Sequence, residues 1–443
     1  MLWHIIKLYM SIVVAVYFKR TKVKNIKYLK VKGPAILAMN HPNSFADAVA
    51  FSSIVYPPRV RYLARGDAFK KGLATWFLQQ LGIIPIFRIQ DGGKEGLSKN
   101  DETYTIVNKL LRKNAKIIIF AEGLCIQERR LRSLKKGVPR MIFGAVTDFP
   151  ELANLVVIPI GVNYSNPSQF RSTLLYNVGK PIKIADYLAA YKEAPAKTMN
   201  QFLIDLAPKM KELIVNINHK HTEKLVKYIE EIYKYTYFKK HKFNFHNLEH
   251  DFKFSNDIAE TINAAELTKP EKVKELAHQT TIYVKEINKY HLKDWLLNPK
   301  KHYFINYGIL VLRCLLITAT LPIYVIGVIG NYIPYRLTAL LVRKKIKLVE
   351  FKASFNLGFG AVLFLLNYSL IYTIATLASP TYWYGLVAVF AFVIAGRICV
   401  TLSSFRKKTM GIYRLLRFKF AQPTIFNQLL IQRKAIIFDY EAL

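Results

Sequence analysis

The chain has 443 residues, and its 65 Lys and Arg side chains against 29 Asp and Glu side chains give a formal net charge of +36. This length predicts about two or three domains, and an apolar fraction of 52% favours segments embedded in a membrane. The sequence has no zinc-finger spacing, RNP-like run or basic heptad array, so the charge suits an anionic membrane surface better than a nucleic acid. The three cysteines lie far apart and form no CxxC pair, which excludes a disulfide framework and indicates a reducing compartment.

The N-terminal segment is apolar but includes His4 and Lys7, and the basic run KRTKVK follows it where a signal peptide would have a cleavage site. We therefore expect residues 1–21 to form an interfacial or anchoring helix. Trp3 and Tyr9 would lie at the level of the lipid head groups.

Residues 22–195 alternate between short apolar runs and helix-like stretches such as residues 101–113. The apolar runs predict buried strands, and the alternation predicts an α/β domain with a mostly parallel sheet flanked by helices. The strand-like runs are PAILAM, VRYLAR, GIIPIF, AKIIIFAEG and LVVIPIGVNY.

Residues 196–299 predict a basic helical region. Val273 and Leu276 recur at near-helical spacing, and Pro270 suits the first turn of a helix. The stretch at residues 228–254 is rich in lysine and aromatic side chains, and its pattern fits no single element.

The membrane region is predicted at residues 300–405. Residues 357–378 carry no charge and are long enough to cross a bilayer, and residues 382–402 form a second candidate span. RKKIK precedes this pair and FRKK follows it, whereas the short connection is uncharged. This bias predicts a C-terminal membrane hairpin with both outer ends in the cytosol, followed by a cytosolic tail at residues 406–443.

Residues 304–335 form a third apolar segment with basic flanks on both sides. Pro322, Gly327 and Gly330 interrupt it and weaken a straight helix. We therefore expect a re-entrant element and not a single crossing.

His41 and Asp47 lie just after the strand-like run that ends at Met39. A carboxylate that bonds one ring nitrogen of a histidine fixes its tautomer and leaves the other nitrogen to act as a general base. The structural alternative is a turn histidine and an aspartate in the first turn of a helix. A metal site would need a third ligand, and the chain has no HExxH motif; a Ser44 nucleophile would need a GxSxG elbow, which is also absent.

Charged residues mark two other strand ends, and a proline lies within a further strand. Arg88 ends GIIPIFR and could fork onto a phosphate, or could be a surface arginine. Glu122 and Gly123 follow the next strand, and the cations after them suit an anionic acceptor or a solvated face. Pro159 within an apolar strand indicates an edge strand or a bulge. The cations are Arg129, Arg130, Arg132, Lys135 and Lys136.

The stretches NHPNSFAD, GIIPIFR, FAEG and VVIPIGV, in this order, resemble the four sequence blocks of the PlsC-type phospholipid/glycerol acyltransferases. The resemblance covers roughly residues 30–185. Five residues separate His41 from Asp47, as in the subgroup that includes the glycerol-3-phosphate/dihydroxyacetone-phosphate acyltransferases. The third block departs from the family pattern, because Ala121 stands where the family has proline.

This resemblance implies transfer of an acyl chain from an acyl thioester to a hydroxyl group of glycerol-3-phosphate, dihydroxyacetone phosphate or lysophosphatidate. His41 would be the general base and Asp47 would stabilise the imidazolium. The remaining implied contacts are oxyanion stabilisation near Asn43 and Ser44, acceptor phosphate at Arg88, the acceptor pocket at Glu122 and Gly123, secondary phosphate contacts at Lys135 and Lys136, and the acyl channel at Pro159.

The resemblance also implies that neither a metal nor another cofactor is required, with acyl-CoA or acyl-carrier protein as the donor substrate. The expected partners are these substrates and anionic membrane lipids, with no nucleic acid, and the sequence identifies no protein partner. We expect an integral membrane protein with its catalytic domain on the cytoplasmic side. The alternatives are a non-catalytic membrane-remodelling or scaffold protein that keeps the fold, and a phospholipid transacylase.

Overall fold

The structure is a computed structural model that describes residues 2–55, 60–66, 82–87, 101–298, 305–379 and 381–443. The chain divides into two compact units. The first comprises Met1–Asn216 and Ile346–Leu357, and the second comprises Ile217–Lys345 and Gly358–Leu443.

The first unit is built on an eight-stranded, mostly parallel sheet with the strand order β1-β7-β6-β2-β5-β3-β4, in which β8 also pairs with β6. Among the described strands, only the pairings of β6 with β7 and β8 are antiparallel. This is the fold class that the sequence predicts. The strands are β1 Arg20–Lys24, β2 Ala35–Met39, β3 Val60–Arg65, β4 Ile83–Ile86, β5 Lys116–Phe120, β6 Val156–Tyr164, β7 Thr173–Val178 and β8 Ile182–Lys183.

Apolar side chains cover both faces of the sheet. All five residues of β2 are buried because helices pack on each side, which explains its continuous apolar sequence. Ile36 and Ala38 point into one core cluster, and Leu37 and Met39 point into the other.

The helices of the first unit are α1 Leu2–Tyr17, α2 Phe45–Ile54, α3 at residues 101–111, α4 Gly137–Asp148, α5 Leu188–Glu193 and α6 Pro195–Lys211. The sequence analysis assigned residues from 196 onward to the basic helical region. The structure instead places α6 in the first unit, because Phe202, Leu206 and Met210 are fully buried in its core.

Helix α1 packs one face on the first unit and leaves the other face apolar and exposed. The hydroxyl of Ser11 donates to the carbonyl of Ser53 at 2.8 Å, and Val14 is buried. Ile5, Leu8 and Ile12 are each more than half exposed on the outer face. This face suits the interfacial position expected for residues 1–21, which stays a prediction.

Pro159 lies in the interior of the sheet, so the edge-strand interpretation is wrong. On one side of β6, β8 pairs with Val156 and Val157, and β7 pairs from Ile160 onward. Pro159 lies between these partners, and its carbonyl accepts a hydrogen bond from the amide of Gly179 at 2.8 Å. The amide hydrogen that proline lacks would point to the same gap, so no ladder hydrogen bond is lost there.

The described residues of the second unit form helices joined by short loops and 3-10 turns. Its helices are α7 Glu223–Lys240, α8 Leu248–Thr268, α9 Pro270–Lys289, α10 Tyr307–Ala319, α11 Leu321–Lys345, most of α12 Val349–Leu377, α13 Trp383–Ala421 and α14 Pro423–Glu441. Pro270 begins α9, as its sequence context predicts.

The aromatic-rich stretch at residues 228–254 is the junction between two consecutive helices. It contains the end of α7, a turn at Lys242 with a φ of 54°, and the start of α8. The ring of Phe254 packs against Tyr237 at 5.0 Å and Phe238 at 5.5 Å, measured between ring centroids. The aromatic residues therefore form the core of the junction.

Three described helices, α11, α12 and α13, are long and apolar enough to cross a membrane. The expected interruption at Gly327 and Gly330 is wrong, because α11 runs continuously through both residues. Pro322 lies in the first turn, where its missing amide hydrogen has no intrahelical acceptor. The two glycines instead allow close packing: a Cβ atom at Gly327 would lie 2.5 Å from the carbonyl oxygen of Ala395 on α13.

Candidate active site

The candidate site lies at the carboxyl edge of the parallel strands. β2 and β5 are parallel neighbours, and Met39 is paired with Phe120 in their register. His41 follows β2 and Glu122 follows β5, so the sheet brings both residues to the same edge. Open α/β sheets bind their ligands at this edge.

His41 and Asp47 form a hydrogen-bonded pair. Nδ1 of His41 lies 2.9 Å from Oδ2 of Asp47, which is fully buried in the first turn of α2. The imidazole ring stacks on Phe120 with a centroid distance of 3.5 Å. Because Nδ1 faces the carboxylate, Nε2 is the ring nitrogen that remains to accept a proton from a substrate.

Two tyrosines hold the aspartate from the neighbouring strands. The hydroxyl of Tyr164 on β6 donates to Oδ1 of Asp47 at 2.7 Å, and the hydroxyl of Tyr176 on β7 donates to its backbone carbonyl at 2.7 Å. Burial raises the pKa of both tyrosines well above the usual value, so both remain donors at neutral pH.

The turn between His41 and α2 is fixed by several hydrogen bonds. The amide of Asn43 donates to Oδ2 of Asp47 at 2.9 Å, and the amide of Ser44 donates to Sγ of Cys125 at 3.0 Å. Ser44 has a φ of 47°, a conformation that is strained for a residue other than glycine. The oxyanion role expected near Asn43 and Ser44 stays a prediction, and in this structure both amides already have acceptors.

The third block forms a buried acidic corner beside the pair. Glu122 is 4% exposed, and burial is the largest cause that raises its pKa to about 7, with a further rise from the nearby Asp47 carboxylate. Gly123 has a φ of 65°, which glycine adopts without strain. The side chain of Lys135 packs over Gly123, so these three predicted residues lie together.

The acyltransferase family model matches residues 20–163, which include His41, Asp47, Glu122 and Gly123. Residues 20–163 are therefore similar to acyltransferases, and we refer to them as the acyltransferase domain. An uncharacterized acyltransferase of Schizosaccharomyces pombe is 31% identical over 109 residues, which are 24% of this chain and 16% of that protein. Glycerol-3-phosphate O-acyltransferase 1 of Saccharomyces cerevisiae is 29% identical over 133 residues, which are 29% of this chain and 17% of that protein.

The aligned regions therefore span less than a fifth of the length of both curated relatives. The crystal structure of the 1-acyl-sn-glycerophosphate (LPA) acyltransferase from Thermotoga maritima superimposes with a TM-score of 0.35 at 12% sequence identity. That superposition covers 48% of this chain and 79% of the Thermotoga chain.

The basic run of the acyltransferase domain is partly neutralised by an internal acid. Glu128 accepts hydrogen bonds from Arg130 at 3.0 Å and from Arg132 at 2.8 Å. Lys135 and Lys136 are exposed, and Lys136 immediately precedes α4. The expected acceptor contacts at these lysines stay predictions.

Arg88 and Pro159 are the two remaining predicted site residues. Arg88 lies outside the described residues, although it follows β4 in the chain. Pro159 lies on β6 and is paired with Ala38 of β2, the strand that His41 follows. Its assignment to an acyl channel stays a prediction.

Sequence reasoning missed several residues that support the pair. They include Tyr164 and Tyr176, whose strands pair antiparallel, and the side chain of Asn40, which exchanges two hydrogen bonds with the backbone of Val162. Tyr164 lies two residues beyond the fourth block, at the end of the strand-like run LVVIPIGVNY, and could have been noticed there. Tyr176 carries no signal in the sequence that links it to Asp47.

Proposed function

We propose that the acyltransferase domain transfers an acyl chain from acyl-CoA or acyl-carrier protein to a hydroxyl group of glycerol-3-phosphate, dihydroxyacetone phosphate or lysophosphatidate. The observation that carries this proposal is the His41–Asp47 pair, in which a 2.9 Å hydrogen bond joins the partly exposed histidine to a buried aspartate inside the acyltransferase domain. Histidine held by a carboxylate is suited to remove a proton from a hydroxyl group.

The reaction needs one base and no covalent acyl-enzyme. Nε2 of His41 takes the hydroxyl proton while the acceptor oxygen attacks the thioester carbonyl carbon. The tetrahedral oxyanion collapses, the carbon–sulfur bond breaks, and the leaving thiolate takes the proton back from the imidazolium. Asp47 stabilises that imidazolium while Tyr164 and the amide of Asn43 stabilise the carboxylate.

The acceptor's phosphate is proposed to bind Arg88, with Lys135 and Lys136 as secondary contacts. Glu122 and Gly123 would form the pocket wall between these cations and His41. This assignment is supported by the packing of Lys135 over Gly123 and by the exposure of both lysines. An arginine suits this role because its planar fork matches phosphate oxygens.

The protein is proposed to act at the cytoplasmic face of a membrane. The apolar outer face of α1 and the candidate spans α11, α12 and α13 would hold the domain next to its lipid product. The excess of basic side chains would favour an anionic leaflet, at about 1 kcal/mol for each residue near the surface.

The test uses purified full-length protein, radiolabelled acyl-CoA or acyl-carrier protein, and a panel of the three acceptors, with products resolved by thin-layer chromatography. Wild type should acylate at least one acceptor. His41→Ala should lower turnover by about 10²–10⁴-fold, because the base acts in the transition state. Arg88→Ala should raise the acceptor KM more than the donor KM.

Transfer by His41→Ala at the wild-type rate would refute the mechanism. Wild type that acylates none of the acceptors would favour the scaffold interpretation, and release of labelled lysophospholipid from a phospholipid donor would favour the transacylase. An Arg88→Ala variant that weakens only the thioester would show that Arg88 has a different role.

A further inference from the structure

The first turns of helix α12 belong to the first unit, although they lie about 300 residues after the site in the chain. Ser354 on α12 is fully buried. Its hydroxyl donates to the carbonyl of Asn43 at 2.7 Å and accepts from the amide of Ala46 at 2.9 Å. One hydroxyl therefore closes the turn that connects His41 to Asp47.

This turn needs support from outside. The first four amides of a helix have no intrahelical acceptor, and the residue before the helix normally supplies one from its own side chain. Ser44 precedes α2 but makes no such side-chain bond, and it has a strained φ of 47° and a ψ of −143°. Ser354 supplies the acceptor in its place, from a remote segment of the chain.

Two other contacts join the same elements. Nε2 of Gln127 lies 3.2 Å from the carbonyl of Val349 and 3.4 Å from Oδ1 of Asn43. The rings of Phe45 and Phe355 pack edge to face with a centroid distance of 5.8 Å. The start of α12 thus contacts the turn on both its backbone and its side chains.

We propose that Ser354 is a positioning residue for the His41–Asp47 pair, so that the start of a candidate membrane helix is part of the active site. The inference rests on the proposed acyl transfer. Ser354 acts through the turn: Ala46 directly precedes Asp47, and Asn43 donates its amide to the Asp47 carboxylate. Loss of the hydroxyl leaves a buried amide and a buried carbonyl unpaired, so the turn relaxes and carries the carboxylate with it.

The test compares Ser354→Ala, Ser354→Thr and Ser52→Ala in the full-length protein. Ser354→Ala should lower kcat by about tenfold, because small misplacements of catalytic groups are costly, and should leave both KM values within about twofold. Ser354→Thr keeps the hydroxyl and should recover most of kcat. Ser52 is the matched control: its buried hydroxyl on α2 has no hydrogen-bond partner among the described residues, and Ser52→Ala should leave kcat unchanged.

A double-mutant cycle separates positioning from a structural role. In an Asp47→Asn background, Ser354→Ala should lower the residual kcat by less than about twofold, because residues that act as one unit are not additive. An equal loss in both backgrounds, or loss in proportion to the folded fraction, would overturn the proposal. If Ser354→Ala does not fold, Ser354→Cys takes its place with the same expected split between kcat and KM.

The two proposals fail in different ways. Wild type without acyl transfer to any acceptor would refute the proposed function. An active wild type whose kcat is unchanged by Ser354→Ala would overturn only the positioning role.

Discussion

The carboxylate of Asp47 receives three hydrogen bonds, two from the turn before α2 and one from a distant strand. His41 precedes it by six residues, Asn43 lies in the intervening turn, and Tyr164 lies on β6. A buried carboxylate requires such donors, because an unpaired charge would favour protonation over the ionised form that the imidazolium needs. The strength of the pair therefore depends on residues outside the His–Asp motif.

Tyr164→Phe should lower kcat by about 10- to 100-fold with little change in KM, because a hydrogen bond to a buried charged group typically contributes about 1.5–3 kcal/mol. Steady-state kinetics with the preferred acceptor measures this. Tyr187→Phe is the control, since its hydroxyl donates to Asp205 at 2.7 Å and touches no site residue. Equal effects of the two substitutions would show that Tyr164 has no special role.

Glu122 should make stability depend on pH. Its pKa in the folded protein is about 7 and burial is the main cause, whereas the ordinary value is 4.5. The folded state therefore holds a proton that the unfolded state has released, so stability should fall as pH rises from 4.5 to 7, by about 3 kcal/mol in total.

Glu122→Gln removes this dependence. The Tm of Glu122→Gln in detergent, relative to the Tm of wild type, should increase as pH rises from 5 to 7. The difference between the two Tm values should then stay constant to pH 8. Ser52→Ala removes no ionisable group and should shift Tm equally at every pH. A Tm difference between Glu122→Gln and wild type that does not change with pH would contradict the buried-acid interpretation.

At the scale of elements, close packing explains why α11 is continuous despite its glycines. A Cβ atom at Gly330 would lie 2.1 Å from the ring of Phe392, and one at Gly327 would lie 2.5 Å from a backbone oxygen of α13. Small residues let apolar helices approach closely where no hydrophobic gain drives their association. Asn331 adds a polar contact by donating to the carbonyl of Phe392 at 3.0 Å.

Gly327→Ala should destabilise the packing of α11 on α13 by about 1–3 kcal/mol, because the backbone atom that it meets cannot move aside. The matched control is Gly360→Ala, where the nearest atom, Cγ2 of Thr338, lies at 4.0 Å. Thermal unfolding followed by size-exclusion chromatography compares the two variants. A Tm for Gly327→Ala no lower than that of Gly360→Ala would rule out the close-packing explanation.

At the scale of the whole molecule, the membrane topology is a prediction that relates the candidate spans to the site. Ile346–Leu357 belong to the unit that carries His41, and Lys345 directly precedes them in the chain. The tip between α12 and α13 carries the exposed aromatic residues Tyr382 and Trp383, which suit a membrane–water interface. A hairpin whose outer ends are cytosolic stays a prediction.

Cysteine labelling in a background that lacks Cys125, Cys314 and Cys399 should test this topology. Single cysteines would replace the exposed residues Lys136, Lys345 and Thr381. An impermeant reagent added to intact cells should reach only position 381, because the basic clusters keep the other two positions in the cytosol.

Permeabilised cells provide the control, since all three positions should then react. Labelling of position 136 from outside would overturn the cytosolic orientation. Labelling of position 345 alone would overturn the re-entrant interpretation of residues 304–335.

The sequence alone was sufficient for β2 to β6, for the His41–Asp47 pair and for the apolar segments near the C-terminus. These features depend on local patterns: an apolar run ending at a polar residue, a fixed spacing between two residues, or an uncharged stretch of bilayer length. The sequence did not predict strands β1 and β7, because RTKVK is polar at the edge of the sheet and TLLYNV lies between loops without a motif.

Only the tertiary structure revealed how distant residues support the pair. Tyr176 lies 129 residues from its partner Asp47 in the chain, and Ser354 lies 311 residues from its partner Asn43. Their hydroxyl groups are ordinary in sequence, and their importance comes from which backbone atoms the fold leaves unpaired beside them. The same reason applies to Pro159, whose tolerance inside the sheet depends on a gap between two partner strands, and to Gly327, whose value depends on the helix packed against it.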